Sequence, residues 1–191
     1  MVHLTIDNRK ITAEPGQTIM EAALANGIDI PQLCHEPRLK PAGACRLCQV
    51  HVDDDKRPPV LACCTPVADG MRVTTESVEL SARRKAILEL LLSEHRMACA
   101  TCDSDGDCAL QDLSYRYGAN EWTYGTFQHT EPAILNYTSD NRGLEYDVEK
   151  CVRCGRCVRF CDEVEGACAL TMDGRGITMK VNTAHGRPLH E

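Results

Sequence analysis

The sequence predicts an α+β protein assembled from several small units rather than around one large core. Three observations predict it. Short strand-like and helical segments succeed one another along the chain. Aromatic residues are scarce (one Trp, five Tyr and two Phe in 191 residues) and nine prolines interrupt the chain, which disfavours one large aromatic-rich interior. Finally, 13 cysteines sort into three groups, at 34–64, 99–108 and 151–168.

Residues Val2–Asp7 alternate apolar and polar, Asn8 can turn, and Lys10–Ala13 begins a second strand, so the chain opens on a hairpin. Pro15-Gly16 is a turn. Thr18 is placed to cap a helix over Ile19–Ala25, with Glu21 at capping-box spacing and Gly27 where the helix should stop. After a loop, Pro31–Ala44, the segments Arg46–Val52, Val60–Ala62 and Arg72–Thr75 read as strands. The order β-β-α-β-β is that of a β-grasp sheet wrapped over one helix. Ser77 or Ser81 is placed to cap the strongest helix in the chain, which ends near His95. Leu88, Leu91, Leu92 and His95 share one face, while Arg83, Arg84, Lys85 and Glu89 face elsewhere. Ala109–Tyr117 is a short helix stopped by Gly118. Ala119–Thr138 reads as connecting chain and Glu145–Val148 as a short strand. Cys157–Glu165 is helical up to Gly166, and Ala169–Met172 with Ile177–Val181 forms a last hairpin. The units are therefore residues 1–78, 79–118, a connecting segment 119–147, and 148–191.

Composition narrows the function classes. A hydrophobic fraction of 43% argues against wholesale disorder, and a formal charge of −7 gives no general reason to expect nucleic acid as a partner. No apolar run approaches the length of a membrane span, and Met1–Asp7 lacks the basic-then-apolar pattern of a secretion signal. With an odd number of cysteines at tight spacing, a secreted disulfide framework is disfavoured. Metal ligation in a reducing, cytoplasmic setting is the better reading.

Each cysteine group has its own spacing. The first is Cys34-x10-Cys45-x2-Cys48-x14-Cys63, with Cys64 adjacent. Four thiolates suit a [2Fe–2S] centre, two per iron, and the small Gly43-Ala44 lets backbone amides approach sulfur. A zinc ribbon is the competing reading. The second group is His95-x3-Cys99-x2-Cys102-x5-Cys108, which spacing alone leaves open between a Cys3His zinc site and a cubane. The third, Cys151-x2-Cys154-x2-Cys157-x3-Cys161, is the bacterial ferredoxin run of a [4Fe–4S] cluster. In two-cluster ferredoxins the last cysteine of that run serves the other cluster and is followed by proline, whereas here Asp162 follows. Cys161 is thus either the fourth ligand or a ligand of another cluster, with Cys168 or a residue outside this chain as the remaining choices.

Taken together, these motifs resemble the N-terminal iron–sulfur region of three relatives. They are the large iron–sulfur subunit of NADH:quinone oxidoreductase, the diaphorase and iron-only catalytic subunits of hydrogenases, and the α subunit of NAD-linked formate dehydrogenases. The resemblance implies, through Ala62-Cys63-x-Thr65-Pro66-Val67, that Cys63 is the fourth [2Fe–2S] ligand and Cys64 a bystander. It also implies that His95, Cys99, Cys102 and Cys108 hold a [4Fe–4S] cluster. The run from Cys151 to Gly166, with Ala169-Leu170 and Gly174-Arg175-Gly176, is most similar to the formate dehydrogenase α subunit. In that family the chain continues into a second ferredoxin-type cluster and a molybdenum- or tungsten-pterin domain. A chain of 191 residues is then either a separate small subunit or a piece of a longer polypeptide.

The function expected is electron transfer between clusters at fixed positions, without a catalytic centre in the chain itself. No dinucleotide-binding fingerprint, Walker loop or Ser/His/Asp arrangement stands out. Partners implied by the resemblance are a flavin- and NAD-binding diaphorase subunit on one side and a catalytic subunit or domain on the other. Formate dehydrogenase is the first expectation; a hydrogenase or quinone-reductase complex is the alternative within oxidoreductases. A multi-zinc scaffold is the alternative outside them. Asp53–Asp55 reads as a solvated hairpin tip. His3, His35, His51, His129, His185 and His190 lack ligand-spaced partners and default to surface or hydrogen-bonded roles.

Overall fold

The computed structural model of the protein describes residues 1–53, 56–125 and 146–184. It is a mixed α/β chain. Strands β1 (Val2–Ile6), β2 (Arg9–Ala13), β3 (Gln49–Val52), β4 (Val60–Leu61) and β5 (Arg72–Thr74) form one sheet in the order β2-β1-β5-β3-β4. β1 and β5 run parallel in its centre, and the remaining neighbours are antiparallel. Asp7 and Asn8 both take positive φ (46° and 65°), the conformation a two-residue hairpin turn between twisted strands requires. Leu4 and Ile6 of β1 and Ile11 and Ala13 of β2 point inward. There they meet Ile19, Met20, Ala22 and Ala23 of helix α1 (Ile19–Ala25).

The capping box at α1 forms as its spacing predicts. Thr18 Oγ1 accepts from the amide of Glu21 at 3.2 Å, and the Glu21 carboxylate accepts from the amide of Thr18 at 2.6 Å. Two further amides at this helix start, those of Ile19 and Met20, donate to the carbonyls of Thr65 (2.9 Å) and Ala62 (3.0 Å). The segment bearing Cys63 is thereby fastened to the helix by donors the helix cannot satisfy itself.

Helix α2 (Val78–Ser93) starts at Ser77, whose hydroxyl accepts from the amide of Leu80 at 3.1 Å, so Ser77 rather than Ser81 is the cap. Helix α3 (Ala109–Tyr117) ends at Gly118 in the left-handed conformation, as expected. These helices pack through Leu88, Leu92, Leu110 and Leu113 into a second apolar cluster with Leu33 and Leu47. Cys45, Cys108 and Val152 border the same cluster, so one packed interior adjoins all three cysteine groups. Helix α4 (Arg156–Glu163) is followed by the hairpin of β6 (Leu170–Asp173) and β7 (Lys180–Thr183).

Several expectations need correction. The strand expected from Arg46 begins only at Gln49, because Arg46 sits at φ 60°, outside extended backbone. Residues Tyr146–Val148 form no strand: the Asp147 carboxylate accepts from the amide of Glu149 at 2.9 Å and turns the chain, while Glu145 lies outside the described residues. Ile177 belongs to a 3₁₀ turn, Gly176–Thr178, closed by Thr178 Oγ1 against the backbone of Arg175, so β7 starts at Lys180. Arg84 does not face away from Leu88, which lies one helical turn further along α2 and is likewise buried. Arg84 is fully buried and Glu89 nearly so, because α2 is covered on that side by the chain around Leu47 and by the chain following α3. Among the described residues no helix is long and apolar enough to cross a membrane.

Candidate metal centres

The first group sits where the sheet meets the second apolar cluster. Cys48 and Cys63 lie in the interior beside Val50 and Ala62, their sulfurs 3.4 Å apart. Cys34 is buried in the loop after Ile30, and its sulfur accepts from the amide of Cys45 at 3.4 Å. The Cys45 thiol and the amides of Cys45 and Ala44 together hold the Cys34 thiol well below the ordinary range. Its partner Cys45 is pushed up by that shared proton and by burial. Cys48 is likewise lowered by its contact with Cys63, which is raised in turn. Four sulfurs in two neighbouring pairs, Cys34 with Cys45 and Cys48 with Cys63, are the donor set that two irons with two thiolates each would take. Gly43 keeps the approach open: at φ +61°, a Cβ there would stand 3.1 Å from Leu61 Cδ1 and 3.2 Å from Cys64 Sγ. Cys64 is exposed, its sulfur 3.5 Å from that of Cys63.

In the second group His95, Cys99, Cys102 and Cys108 line one cavity, together with Asp105, Gln111 and Lys150. His95 lies just beyond α2 rather than in its last turn, its amide donating to Leu92 O at 3.1 Å. A 3₁₀ turn, Cys99–Thr101, presents Cys99, and Cys108 is the residue preceding α3. Gln111 braces the loop between them, donating to Asp105 at 2.8 Å and accepting from the amide of Gly106 at 3.1 Å. His95 Nδ1 is buried without a hydrogen-bond partner among the described residues. Burial, then the charge of Arg153, lowers the pKa of this imidazole and so favours its neutral form. A neutral, buried, unpartnered ring nitrogen beside three thiols fits metal ligation, since leaving it bare costs free energy.

The third group follows along the chain to α4. The sulfur of Cys151 accepts from the amide of Arg153 at 3.3 Å, that of Cys154 from Arg156 Nε at 3.4 Å, and that of Cys161 from the amide of Ala169 at 3.2 Å. Tyr146 faces Cys151 with its hydroxyl, which also accepts from the amide of Val181 at 3.0 Å. Burial and the Cys151 thiol push the Tyr146 phenol up. Cys161 lies one helical turn beyond Cys157, whereas the exposed Cys168 donates to Asp162 at 3.0 Å. Hydrogen bonds to sulfur from amides and side chains orient cysteine ligands and tune the potential in iron–sulfur sites.

Among the described residues no three His, Cys, Asp or Glu side chains form a group that could hold a single metal ion. His35 and His51 are buried, contrary to a surface role. His51 Nε2 lies 3.6 Å from Glu79, and His35 Nε2 has no hydrogen-bond partner among the described residues. His129, His185, His190, Asp54 and Asp55 lie outside the described residues. Asp53 is tied to β5, accepting from the amide of Arg72 at 2.9 Å. Sequence reasoning misplaced Arg84 and passed over Tyr146 and Arg159, whose contacts are long-range ones that no spacing announces.

Comparison with known proteins finds three family matches along the chain. Residues 1–78 match a 2Fe-2S iron-sulfur cluster binding domain and residues 84–122 an NADH-ubiquinone oxidoreductase-G iron-sulfur binding region. Residues 143–191 match the ferredoxin-like domain of NADH-quinone oxidoreductase subunit 3. The NADPH-Fe(3+) oxidoreductase subunit alpha of Geobacter sulfurreducens is 40% identical over 190 residues, covering 100% of this chain and 22% of that protein. The mitochondrial NADH-ubiquinone oxidoreductase 78 kDa subunit of Neurospora crassa is 36% identical over 184 residues, 95% of this chain and 24% of that subunit. The chain therefore spans about a quarter of the length of these curated relatives. A chain in the crystal structure of the NAD+-reducing [NiFe]-hydrogenase in the H2-reduced state superposes with a TM-score of 0.84 at 34% identity. That match covers 97% of this chain and 77% of the hydrogenase chain. With 2Fe-2S and 4Fe-4S binding domains in one order and a solved relative matched over most of its length, the chain belongs to the family of iron–sulfur electron-transfer subunits found in NADH-quinone oxidoreductases and NAD+-reducing hydrogenases.

Proposed function

We propose that this chain relays electrons between a flavin- and NAD-binding diaphorase subunit and a catalytic subunit or domain, in the cytoplasm. The observation that carries the reading is the convergence of all three cysteine groups on one packed interior, bordered by Cys45, Cys108 and Val152. Bound clusters would supply one-electron redox centres; the residues of the chain hold, space and tune them.

In this reading residues 1–78 form a β-grasp unit in which Cys34, Cys45, Cys48 and Cys63 hold a [2Fe–2S] cluster. Residues 79–118 hold a [4Fe–4S] cluster through His95, Cys99, Cys102 and Cys108. Residues 148–191, after a connector at 119–147, hold a second [4Fe–4S] cluster through Cys151, Cys154 and Cys157, with Cys161 as fourth ligand or ligand of another cluster. The third unit touches both others. Arg153 pairs with Glu94 and Arg96 with Glu149 (3.4 Å) on the His95 side, while Glu163 accepts from the amide of Lys40 at 2.7 Å on the Cys34 side. Those contacts support a relay whose middle station is the Cys151–Cys157 site.

For the terminal reaction we favour a molybdenum- or tungsten-dependent NAD-linked formate dehydrogenase, on the fourth cysteine of the ferredoxin run, Cys161. A hydrogenase-type complex is the second reading, favoured by the 34% identity to the hydrogenase chain. Anaerobic purification with iron, sulfide and zinc quantitation and low-temperature EPR tests the relay. Iron and acid-labile sulfide with three cluster signals are expected, and zinc without sulfide would overturn it. Changing His95→Cys should retain the cubane at a lower potential, because a thiolate adds negative charge where the imidazole was neutral.

A further inference from the structure

We infer that Arg159 is a positioning residue that belongs to the third unit but serves the first centre: it locks the Cys34–Lys40 loop and raises the potential of the [2Fe–2S] site. The inference rests on the proposed ligand set. Arg159 lies on α4 between Cys157 and Cys161, and its side chain crosses to the loop of the first unit. One guanidinium nitrogen, Nη1, donates to the carbonyl of Lys40 at 2.9 Å; the other, Nη2, donates to the carbonyl of Cys34 itself. A planar fork that grips two carbonyls six residues apart closes the loop, which a flexible ammonium cannot do in the same way.

The surrounding contacts make this a built junction. The peptide unit chain at Lys40 is held from both directions, its carbonyl by Arg159 and its amide by the Glu163 carboxylate at 2.7 Å. Arg38 stacks over the Phe160 ring at 5.1 Å, a further contact between the same loop and α4. Arg159 is half-buried, so its charge is less screened than that of a solvated side chain. A fixed positive charge against the backbone of a ligand favours the more negative, reduced state of the cluster beside it. Glu163 anchors the same loop with the opposite charge, which separates mechanical from electrostatic effects.

The test is an anaerobic EPR redox titration of the full chain, with iron and sulfide counted, for the wild type, Arg159→Gln, Arg159→Lys and Glu163→Gln. The expected result is a lower [2Fe–2S] potential in Arg159→Gln, a higher one in Glu163→Gln, and no shift of the His95-ligated centre in either. Loss of the first centre alone in Arg159→Gln also supports the assignment, since the altered residue belongs to another unit. Shifts of the same sign in the Gln variants, or an unchanged [2Fe–2S] potential with intact iron, overturn it while leaving the relay standing. A wild type without iron and sulfide overturns both. If Arg159→Gln does not fold, Arg159→Lys decides. That variant keeps the charge but not the fork, so a broadened [2Fe–2S] signal at a near-wild-type potential supports the role, and a signal identical to wild type overturns the lock.

Discussion

The Nε of Arg84 donates at 3.0 Å to the carbonyl of Leu47, the residue before Cys48, from a side chain with no exposed surface. Its Nη2 reaches the carbonyls of Gln49 at 2.7 Å and Thr75 at 2.8 Å, and Nη1 pairs with Glu76 at 2.9 Å. Both residues flanking Cys48 are thus pinned by a side chain of α2. A buried guanidinium is tolerated because its donors are consumed by carbonyls that would otherwise be left unpaired.

Removing that side chain should be costly. Arg84→Met keeps much of the apolar stem but strands buried carbonyls, and we expect a loss of about 3 kcal/mol in stability. Arg84→Lys should recover only part of it, because one ammonium cannot reach three carbonyls set around a planar fork. Urea unfolding followed by circular dichroism measures both, and equal stability of Arg84→Met and wild type would show that the network contributes nothing.

Gly43 offers a local test of the first centre. Alanine at this position meets Leu61 and the Cys64 sulfur at 3.1 and 3.2 Å and is strained by φ +61° besides. The strain costs about 1–2 kcal/mol and is concentrated beside Cys45. We expect Gly43→Ala to lower [2Fe–2S] occupancy selectively, read as weaker visible absorption and EPR of that centre, with the cubane signals intact. Full occupancy would mean that Leu61 and Cys64 yield freely.

Much of this was legible in the residues themselves. The Thr18/Glu21 box, the Gly118 stop and the inward alternation of Leu4 and Ile6 are local patterns, governed by neighbours three or four positions away or fewer. The cysteine groups stand out for the same reason, through the short spacings Cys45-x2-Cys48, Cys99-x2-Cys102 and Cys151-x2-Cys154-x2-Cys157. Arg84 escaped because burial on α2 is decided by Leu47, Gln49 and Thr75, up to 37 positions away in the chain. Arg159 and Tyr146 escaped likewise, their partners Cys34 and Val181 lying 125 and 35 positions off. A helical wheel sees only its own helix, and a charged residue on the covered side looks like any solvated one.

Alkaline pH should loosen the joint between α3 and the segment that leads into α2. Tyr117 donates to Glu76 at 2.6 Å, and burial followed by that hydrogen bond raises its phenol to about 12 from an ordinary value of 10.0. The folded state thus holds the phenolic proton more tightly than the unfolded state. Its contribution to stability is complete below pH 10 and is lost as the pH rises towards 12. Thermal melts between pH 9 and about 11.5 should show a decline that Tyr117→Phe reduces. An identical decline in the variant would assign it to other groups.

The two adjacent thiols at 63 and 64 give the sharpest check on the ligand set. Cys63 is buried and 3.4 Å from Cys48, whereas Cys64 is exposed and borders Gly43. A sulfur facing its pair across the interior is placed to complete a second iron's thiolates, and one turned to solvent is not. Cys63→Ser should therefore lose the [2Fe–2S] EPR signal and about two irons per chain, while Cys64→Ser keeps both. If the effects are reversed, the fourth ligand is Cys64, and the pairing of Cys48 with Cys63 describes only the metal-free chain.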